Sequence, residues 1–179
     1  VDLLKNMDIK LTNDGKVYTW GENVYGQLGH NNTISSNYAQ SVLGIDGESY
    51  LSNIVDISSG AYGTIAIDKN SNVYVWGNGS NGEIGDNTTN SKYLPVKTTI
   101  KNAIQASMGV GNISVLTSDG VVWAWGRNNE GQLGINCTNN TSYPMKTALE
   151  VTELSSSTHT SVKKIDGSVY ATGFYCEGG

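Results

Sequence analysis

The stretch Trp76-Gly77-Asn78-Gly79-Ser80-Asn81-Gly82-Glu83-Ile84-Gly85 decides the fold, because the chain carries it more than once. Trp20-Gly21-Glu22-Asn23-Val24-Tyr25-Gly26-Gln27-Leu28-Gly29 precedes it, and Trp125-Gly126-Arg127-Asn128-Asn129-Glu130-Gly131-Gln132-Leu133-Gly134 follows it. A worn fourth copy starts at Thr172 and runs through Gly173, Phe174, Tyr175 and Cys176 to Gly179. The copies begin 56, 49 and 47 residues apart. A period near fifty marks supersecondary units that are repeated and stacked.

Working outward from Trp76, the flanks read as short strands. Ile54-Val55-Asp56-Ile57-Ser58, Thr64-Ile65-Ala66-Ile67, Val73-Tyr74-Val75-Trp76 and Tyr93-Leu94-Pro95-Val96-Lys97 are β-rich runs between turn residues. Asp14-Gly15, Asp119-Gly120 and Asp166-Gly167 each precede a Val-Tyr or Val-Trp run or its near equivalent, which predicts hairpins. Asn70-Ser71-Asn72 takes that place in the second unit, with Asn as the expected left-handed residue. The composition agrees: 22 glycines, 2 prolines and only 15% charged residues suit many turns and few long helices.

The recurring positions read first as packing. Trp20, Trp76 and Trp125 sit in one register and are expected between units. Leu28, Ile84 and Leu133 are lone aliphatics between glycines, expected as inward plugs on coiled loops. Gly21, Gly26, Gly29, Gly77, Gly82, Gly85, Gly126, Gly131 and Gly134 supply the backbone angles or close approaches those loops need. Tyr38, Tyr93 and Tyr143 start the outer strands and receive the same packing reading.

The combined pattern, Gly60-x-x-x-Thr64-x-Ala66-Ile67, then Val73 through Gly85, then Tyr93-Leu94-Pro95-Val96, resembles the regulator-of-chromosome-condensation repeat across the whole chain. Sixteen residues separate Gly60 from Trp76, Gly109 from Trp125 and Ser156 from Thr172. The fourth unit departs from the pattern at Thr172 and Tyr175, which predicts looser packing or a place near an end. The resemblance implies an all-β fold, a β-propeller of four-stranded antiparallel blades, with about three and a half of the seven blades present in family members. The expected division of the single repeat domain 1–179 is an incomplete first blade with its following strand and loop (1–53), a second repeat (54–103), a third (104–150) and a truncated fourth (151–179). The chain is expected to be a piece of a longer propeller of roughly 350 residues, with open blade ends that invite self-association.

Chemistry is not legible in the sequence. His30 and His159 lie in no catalytic frame, and His30 reads as a solvated loop residue. No catalytic, cofactor-binding or metal-ligating set is expected. Cys137 and Cys176 make neither a disulfide framework nor a metal site, although one bridge between neighbouring units stays open. A net charge of −5 disfavours nucleic acid, and no apolar run is long enough to span a membrane.

Recognition is expected where the copies disagree. On the face carrying the repeated loops those positions are Tyr25, Tyr62, Arg127, Glu130, Phe174 and Tyr175, aromatic and charged groups suited to a protein partner. On the opposite face the first unit carries an insertion near Leu43–Ser49. The leading reading is a non-catalytic protein-interaction scaffold; the resemblance to bacterial members, with Asn/Thr-rich loops, points to an extracellular or surface setting. Alternatives are a carbohydrate-binding propeller or, by family analogy, a guanine-nucleotide exchange or enzyme-inhibitor propeller.

Overall fold

In the computed structural model, which describes residues 7–148 and 150–173, fourteen strands form four antiparallel sheets. The first contains β1 (Met7–Leu11), β2 (Val17–Gly21) and β3 (Ser36–Ser41). The second contains β4 (Ile54–Ser59), β5 (Gly63–Asp68), β6 (Val73–Gly77) and β7 (Lys92–Lys97). The third contains β8 (Ala103–Met108), β9 (Asn112–Thr117), β10 (Val122–Gly126) and β11 (Thr141–Ala148). The fourth contains β12 (Val151–Ser156), β13 (His159–Lys164) and β14 (Val169–Gly173). Every strand pairs with its sequence neighbour, the up-and-down order of propeller blades. The register Met7↔Gly21 matches Gly63↔Gly77, so β1 corresponds to β5, the second strand of a blade.

Each hairpin between a blade's second and third strands is closed by one left-handed residue: Gly15, Ser71, Gly120 or Gly167, with φ of 78°, 61°, 77° and 85°. The loop has three residues, with Gly15 N–H donating to Thr12 O and Thr12 N–H to Lys16 O, both at 2.9 Å. In the second blade the left-handed residue is Ser71 and not an asparagine. Asn70 and Asn72 are engaged instead, their backbone N–H groups donating to Asp68 Oδ1 at 2.8 and 3.0 Å.

The same hairpin tips join blade to blade. The carbonyls of Gly15, Ser71 and Gly120 accept the N–H of Ile54, Ala103 and Val151, the first residues of β4, β8 and β12. Along the inner edge, side chains of one blade bond the backbone of the next. Asp56 Oδ2 accepts the Ala106 N–H, Ser58 Oγ the Met108 N–H, and Gln105 Oε1 the Leu154 N–H, each at 3.1 Å. Ser107 Oγ accepts the Ser156 N–H at 2.9 Å. These bonds satisfy inner-strand groups that have no strand beyond them to pair with.

The core lies between blades. β5 and β9 are buried at all six positions because both faces of their sheets are covered, which is why Gly63–Asp68 shows no alternation. Among the described residues, twelve buried hydrophobic residues cluster in the seam between the second and third blades, and four, Leu116, Val122, Val151 and Leu154, cluster in the seam between the third and fourth. Trp76 and Trp125 are fully buried, as are the plugs Leu28, Ile84 and Leu133. Trp20 differs: β2 alternates buried Val17, Thr19 and Gly21 with half-covered Tyr18 and Trp20, which stand on the face turned away from the second blade.

The repeated glycines all have positive φ, from 67° at Gly134 to 108° at Gly77, and at several of them space is equally restrictive, two of these lying against a tryptophan. A Cβ on Gly29 would lie 2.9 Å from Trp76 Nε1, and one on Gly85 would lie 2.8 Å from Trp125 Nε1. Indole and loop backbone therefore meet without room for a methyl group. The outer-strand tyrosines differ from the packing expectation, exposing 64% at Tyr38, 43% at Tyr93 and 48% at Tyr143. They lie on each blade's outer edge, and Tyr93 covers Gly26 of the preceding blade with one side of its ring.

Candidate functional site

The loops that follow Trp20, Trp76 and Trp125 share a face with the short turns after β4, β8 and β12, because alternate connections of an up-and-down sheet emerge on the same side. Their conformation is set from beneath. Asn23 is buried; its Oδ1 accepts the Leu28 N–H at 2.9 Å, and its Nδ2 donates to the carbonyls of Asn32 and Ile34. Asn128 does the same in the third blade, accepting from Leu133 N–H and donating to the carbonyls of Cys137 and Asn139. Gly79 occupies this position in the second blade, where a Cβ would run into the Asn90 carbonyl. These asparagines were missed as loop organisers; the signal was an Asn four residues before each Gln of Gly-Gln-Leu-Gly, present in two of three copies.

The Gln/Glu side chain of each loop folds back to cap the residue two before it. Gln27 Oε1 accepts the Tyr25 N–H at 2.9 Å, Glu83 Oε2 the Asn81 N–H at 2.7 Å, and Gln132 Oε1 the Glu130 N–H at 3.0 Å. Gln132 Nε2 also donates to Glu130 Oε2 at 2.9 Å. Tyr25 has no carboxylate to offer at that position, and the buried Gln27 Nε2 has no hydrogen-bond partner among the described residues. Glu83 exposes 4% of its surface, and its burial holds the carboxyl above the ordinary glutamate value.

On this frame Tyr25 and Tyr62 meet across the first seam, 37 residues apart in sequence. Their rings are edge-to-face, centroids 5.3 Å apart and planes at 72°. They remain 38% and 43% exposed. Tyr62 O accepts the Asn78 N–H at 2.8 Å, which fixes the backbone beneath the ring. Arg127 and Glu130 form a separate pair on the third blade, Nη2 to Oε1 at 2.6 Å. Between the two pairs lies a shallow indentation lined by Tyr62, Asn78, Glu83 and Gly111. A Cβ on Gly111 would lie 3.3 Å from Arg127 Cβ and 3.4 Å from Glu83 Oε1. The strip therefore runs from Tyr25 through Tyr62 and Gly111, over the buried Glu83, to Arg127 and Glu130. Phe174 and Tyr175 lie outside the described residues, as does Cys176; Cys137 is exposed.

His30 is not a solvated loop residue. Its Nε2 lies 3.0 Å from Thr19 Oγ1, and burial lowers its pKa below the ordinary histidine value. On the opposite face the Leu43–Ser49 insertion forms a small hairpin closed by the Leu43↔Tyr50 bridge. Its tip is tied by Asp46, which accepts from the N–H groups of Glu48 and Ser49 at 3.0 Å. Among the described residues no group of three His, Cys, Asp or Glu side chains is placed to hold a metal ion, and no helix is long and apolar enough to cross a membrane.

Residues 14–67, 70–115 and 119–165 match the regulator of chromosome condensation (RCC1) repeat. Over 95 residues the chain is 30% identical to human E3 ubiquitin-protein ligase HERC2, covering 53% of this chain and 2% of that protein. Over 75 residues it is 37% identical to the Arabidopsis thaliana ultraviolet-B receptor UVR8, covering 42% of this chain and 16% of the receptor. Human WBSCR16 superimposes with a TM-score of 0.81 at 22% identity, over 96% of this chain and 46% of that structure. Yeast RCC1 (Prp20), solved bound to Kap60, superimposes with a TM-score of 0.79 at 18% identity, over 96% of this chain and 42% of that structure. The chain thus spans a small part of these curated relatives and somewhat under half of the solved structures.

Proposed function

The chain belongs to the regulator of chromosome condensation (RCC1) repeat family, and from that premise we propose that it is a non-catalytic scaffold that docks a protein partner on its loop face. The observation that carries this reading is the Tyr25–Tyr62 pair: two exposed rings from adjacent blades, locked edge-to-face at 5.3 Å on loops whose backbones are capped from below. An aromatic pair held in place by its own scaffold loses little conformational freedom on binding, the property that makes such groups anchors. Arg127 and Glu130 neutralise each other and serve as the polar rim of the same strip. Among relatives of this fold, yeast Prp20 has been solved with Kap60 and described for its binding to Gsp1p and histones.

The test is quantitative affinity capture from an extract of the source cells with three forms of the chain: unsubstituted, Tyr25→Ala/Tyr62→Ala, and Ile45→Asp on the opposite face. A protein retained by the first and third and lost by the second is the expected result. Both tyrosines are part-exposed, so folding stability should hold to within about 1 kcal/mol. Equal retention by all three forms defeats the reading. A glycan whose binding is lost with the two tyrosines would replace the protein partner with a carbohydrate.

A further inference from the structure

The outer edge of the first blade departs from its siblings at three positions that line one pocket. The registers Thr19↔Gln40 and Tyr18↔Ser41 match Val75↔Val96 and Tyr74↔Lys97 in the second blade, and Ala124↔Met145 and Trp123↔Lys146 in the third. Gln40 and Ser41 therefore stand where both siblings carry an apolar residue and a lysine. His30 follows Gly29 as Asp86 follows Gly85 and Ile135 follows Gly134. In the second blade that aspartate is paired with Lys92 at 2.9 Å. In the first blade, neutral hydrogen-bonding groups have replaced both the hydrocarbon and the charge.

The insertion supplies the facing wall. Its hairpin, closed by the Leu43↔Tyr50 bridge, borders a pocket of about 310 Å³ lined by His30, Asn32, Gln40, Ser41, Leu43 and Tyr50. That volume is at the small end of the range for small-molecule sites. None of the six is formally charged at neutral pH, since burial disfavours the His30 imidazolium. The base of the pocket is fixed by bonds of its own. Thr19 Oγ1 donates to Leu28 O at 2.7 Å, so it accepts from His30 Nε2 at 3.0 Å. Asn32 Nδ2 donates to His30 O at 3.0 Å, and Gln40 Nε2 donates to Ser36 Oγ at 2.8 Å. Gln40 Oε1, Ser41 Oγ and Tyr50 Oη make no hydrogen bond among the described residues, and Tyr50 exposes 65% of its surface. An ion would find no counter-charge in this lining, and a hydrocarbon would strip the amide and hydroxyls of water without replacing its bonds. A neutral polyhydroxylated ring meets both conditions: its hydroxyls give and accept hydrogen bonds, and its C–H face packs on an aromatic ring.

We propose that this pocket binds a neutral saccharide, one sugar ring seated between β3 and the insertion hairpin against Tyr50. The site is separate from the loop face and stands whether or not a protein docks there. NMR titration of the 179-residue protein with glucose, galactose, mannose and N-acetylglucosamine is the test, with glucuronate and glucosamine as charged arms. The expected result is saturable one-to-one binding of at least one neutral sugar in the millimolar range, tighter than either charged sugar. Tyr50→Ala should weaken it about tenfold by removing the packing surface. Gln40→Val/Ser41→Lys, which installs the residues of the second blade, should weaken it by as much; should that variant not fold, Ser41→Lys alone decides, with the same loss expected. Tyr25→Ala/Tyr62→Ala should bind as the unsubstituted chain does, which separates this site from any glycan held on the loop face. Absence of saturable binding by every neutral sugar, tighter binding of either charged sugar, affinity unchanged in Tyr50→Ala or in the Gln40/Ser41 variant, or loss of binding with Tyr25 and Tyr62 overturns the proposal.

Discussion

Trp125 donates its indole N–H to the backbone carbonyl of Glu83 at 2.7 Å, across the seam between two consecutive blades. Trp76 repeats the bond with Gln27 O, but there Thr64 Oγ1 donates to the same carbonyl at 3.0 Å. In the third blade the register puts Ile113 where Thr64 stands, so no second hydroxyl serves Glu83 O. Trp125→Phe keeps most of the packing and leaves a buried carbonyl unpaired, at about 1–3 kcal/mol. Trp76→Phe should cost less, because Thr64 remains. Urea denaturation of both variants checks the order; equal losses would show that the second donor does not matter.

Glu83 stands where the sibling loops have Gln27 and Gln132, and it exposes only 4% of its surface. Burial raises its pKa against the opposing pull of the Asn81 side chain and backbone N–H. The folded chain therefore holds this proton more tightly than the unfolded chain. Below the ordinary glutamate value both states are protonated and the group carries no penalty. As pH rises from that value to the folded one, stability is lost, and the loss stays complete above it. Glu83→Gln removes this titration, so the variant should gain on the unsubstituted chain over the interval that runs upward from the ordinary glutamate value. Parallel stability profiles across that interval would show that burial of the carboxyl has no energetic consequence.

Asn128 makes three hydrogen bonds inside the loop after β10, to Leu133 N, Cys137 O and Asn139 O, at 2.9, 2.8 and 3.1 Å. Asn128→Ala strands these groups beneath the surface and should cost about 2–3 kcal/mol. Asn128→Asp keeps the acceptor for Leu133 but turns a buried carboxylate oxygen against the carbonyls of Cys137 and Asn139, so its loss at neutral pH should be the larger of the two. Hydrogen exchange gives the local readout: the Leu133 amide should lose protection in the alanine variant and keep part of it in the aspartate variant. Unchanged protection in both would mean that the loop is held by its glycines alone.

Strands and blades were legible because their cause is periodic. Val73–Gly77 and Val122–Gly126 carry the same β-branched and aromatic run, and the spacing repeats. The seams were not legible, because their acceptors are backbone carbonyls: nothing in the identity of Gln27 or Glu83 announces that an indole 49 or 42 residues later will bond its main chain. Thr172 was visible as a departure, yet its hydroxyl preserves the bond. The equivalence of Leu51, Ile100 and Ala148 was hidden by the insertion around Leu43–Ser49, which breaks the count from the preceding tryptophan. Counting back from β4, β8 and β12 restores it. The Tyr25–Tyr62 contact joins loops of different blades, so only the stacking geometry brings the two residues together.

Ser71 adopts φ of 61° at the hairpin position that Gly15, Gly120 and Gly167 hold in the other blades. A side chain with a Cβ is strained there by about 1–2 kcal/mol, whereas glycine is not. Its neighbours do not release it, because Asp68 fixes the backbone N–H groups of Asn70 and Asn72 on either side, and Ser71 O must still accept the Ala103 N–H of the next blade. Ser71→Gly removes the strain but frees the unfolded chain, which returns part of the gain. A net stabilisation of about 0.5–1 kcal/mol is expected by thermal unfolding. Ser71→Ala keeps the Cβ and loses only a half-exposed hydroxyl, so it should stay near the unsubstituted chain. If the glycine variant were no more stable than the alanine variant, the strain at this turn would be absent, and the glycines at the other three tips would need another reason.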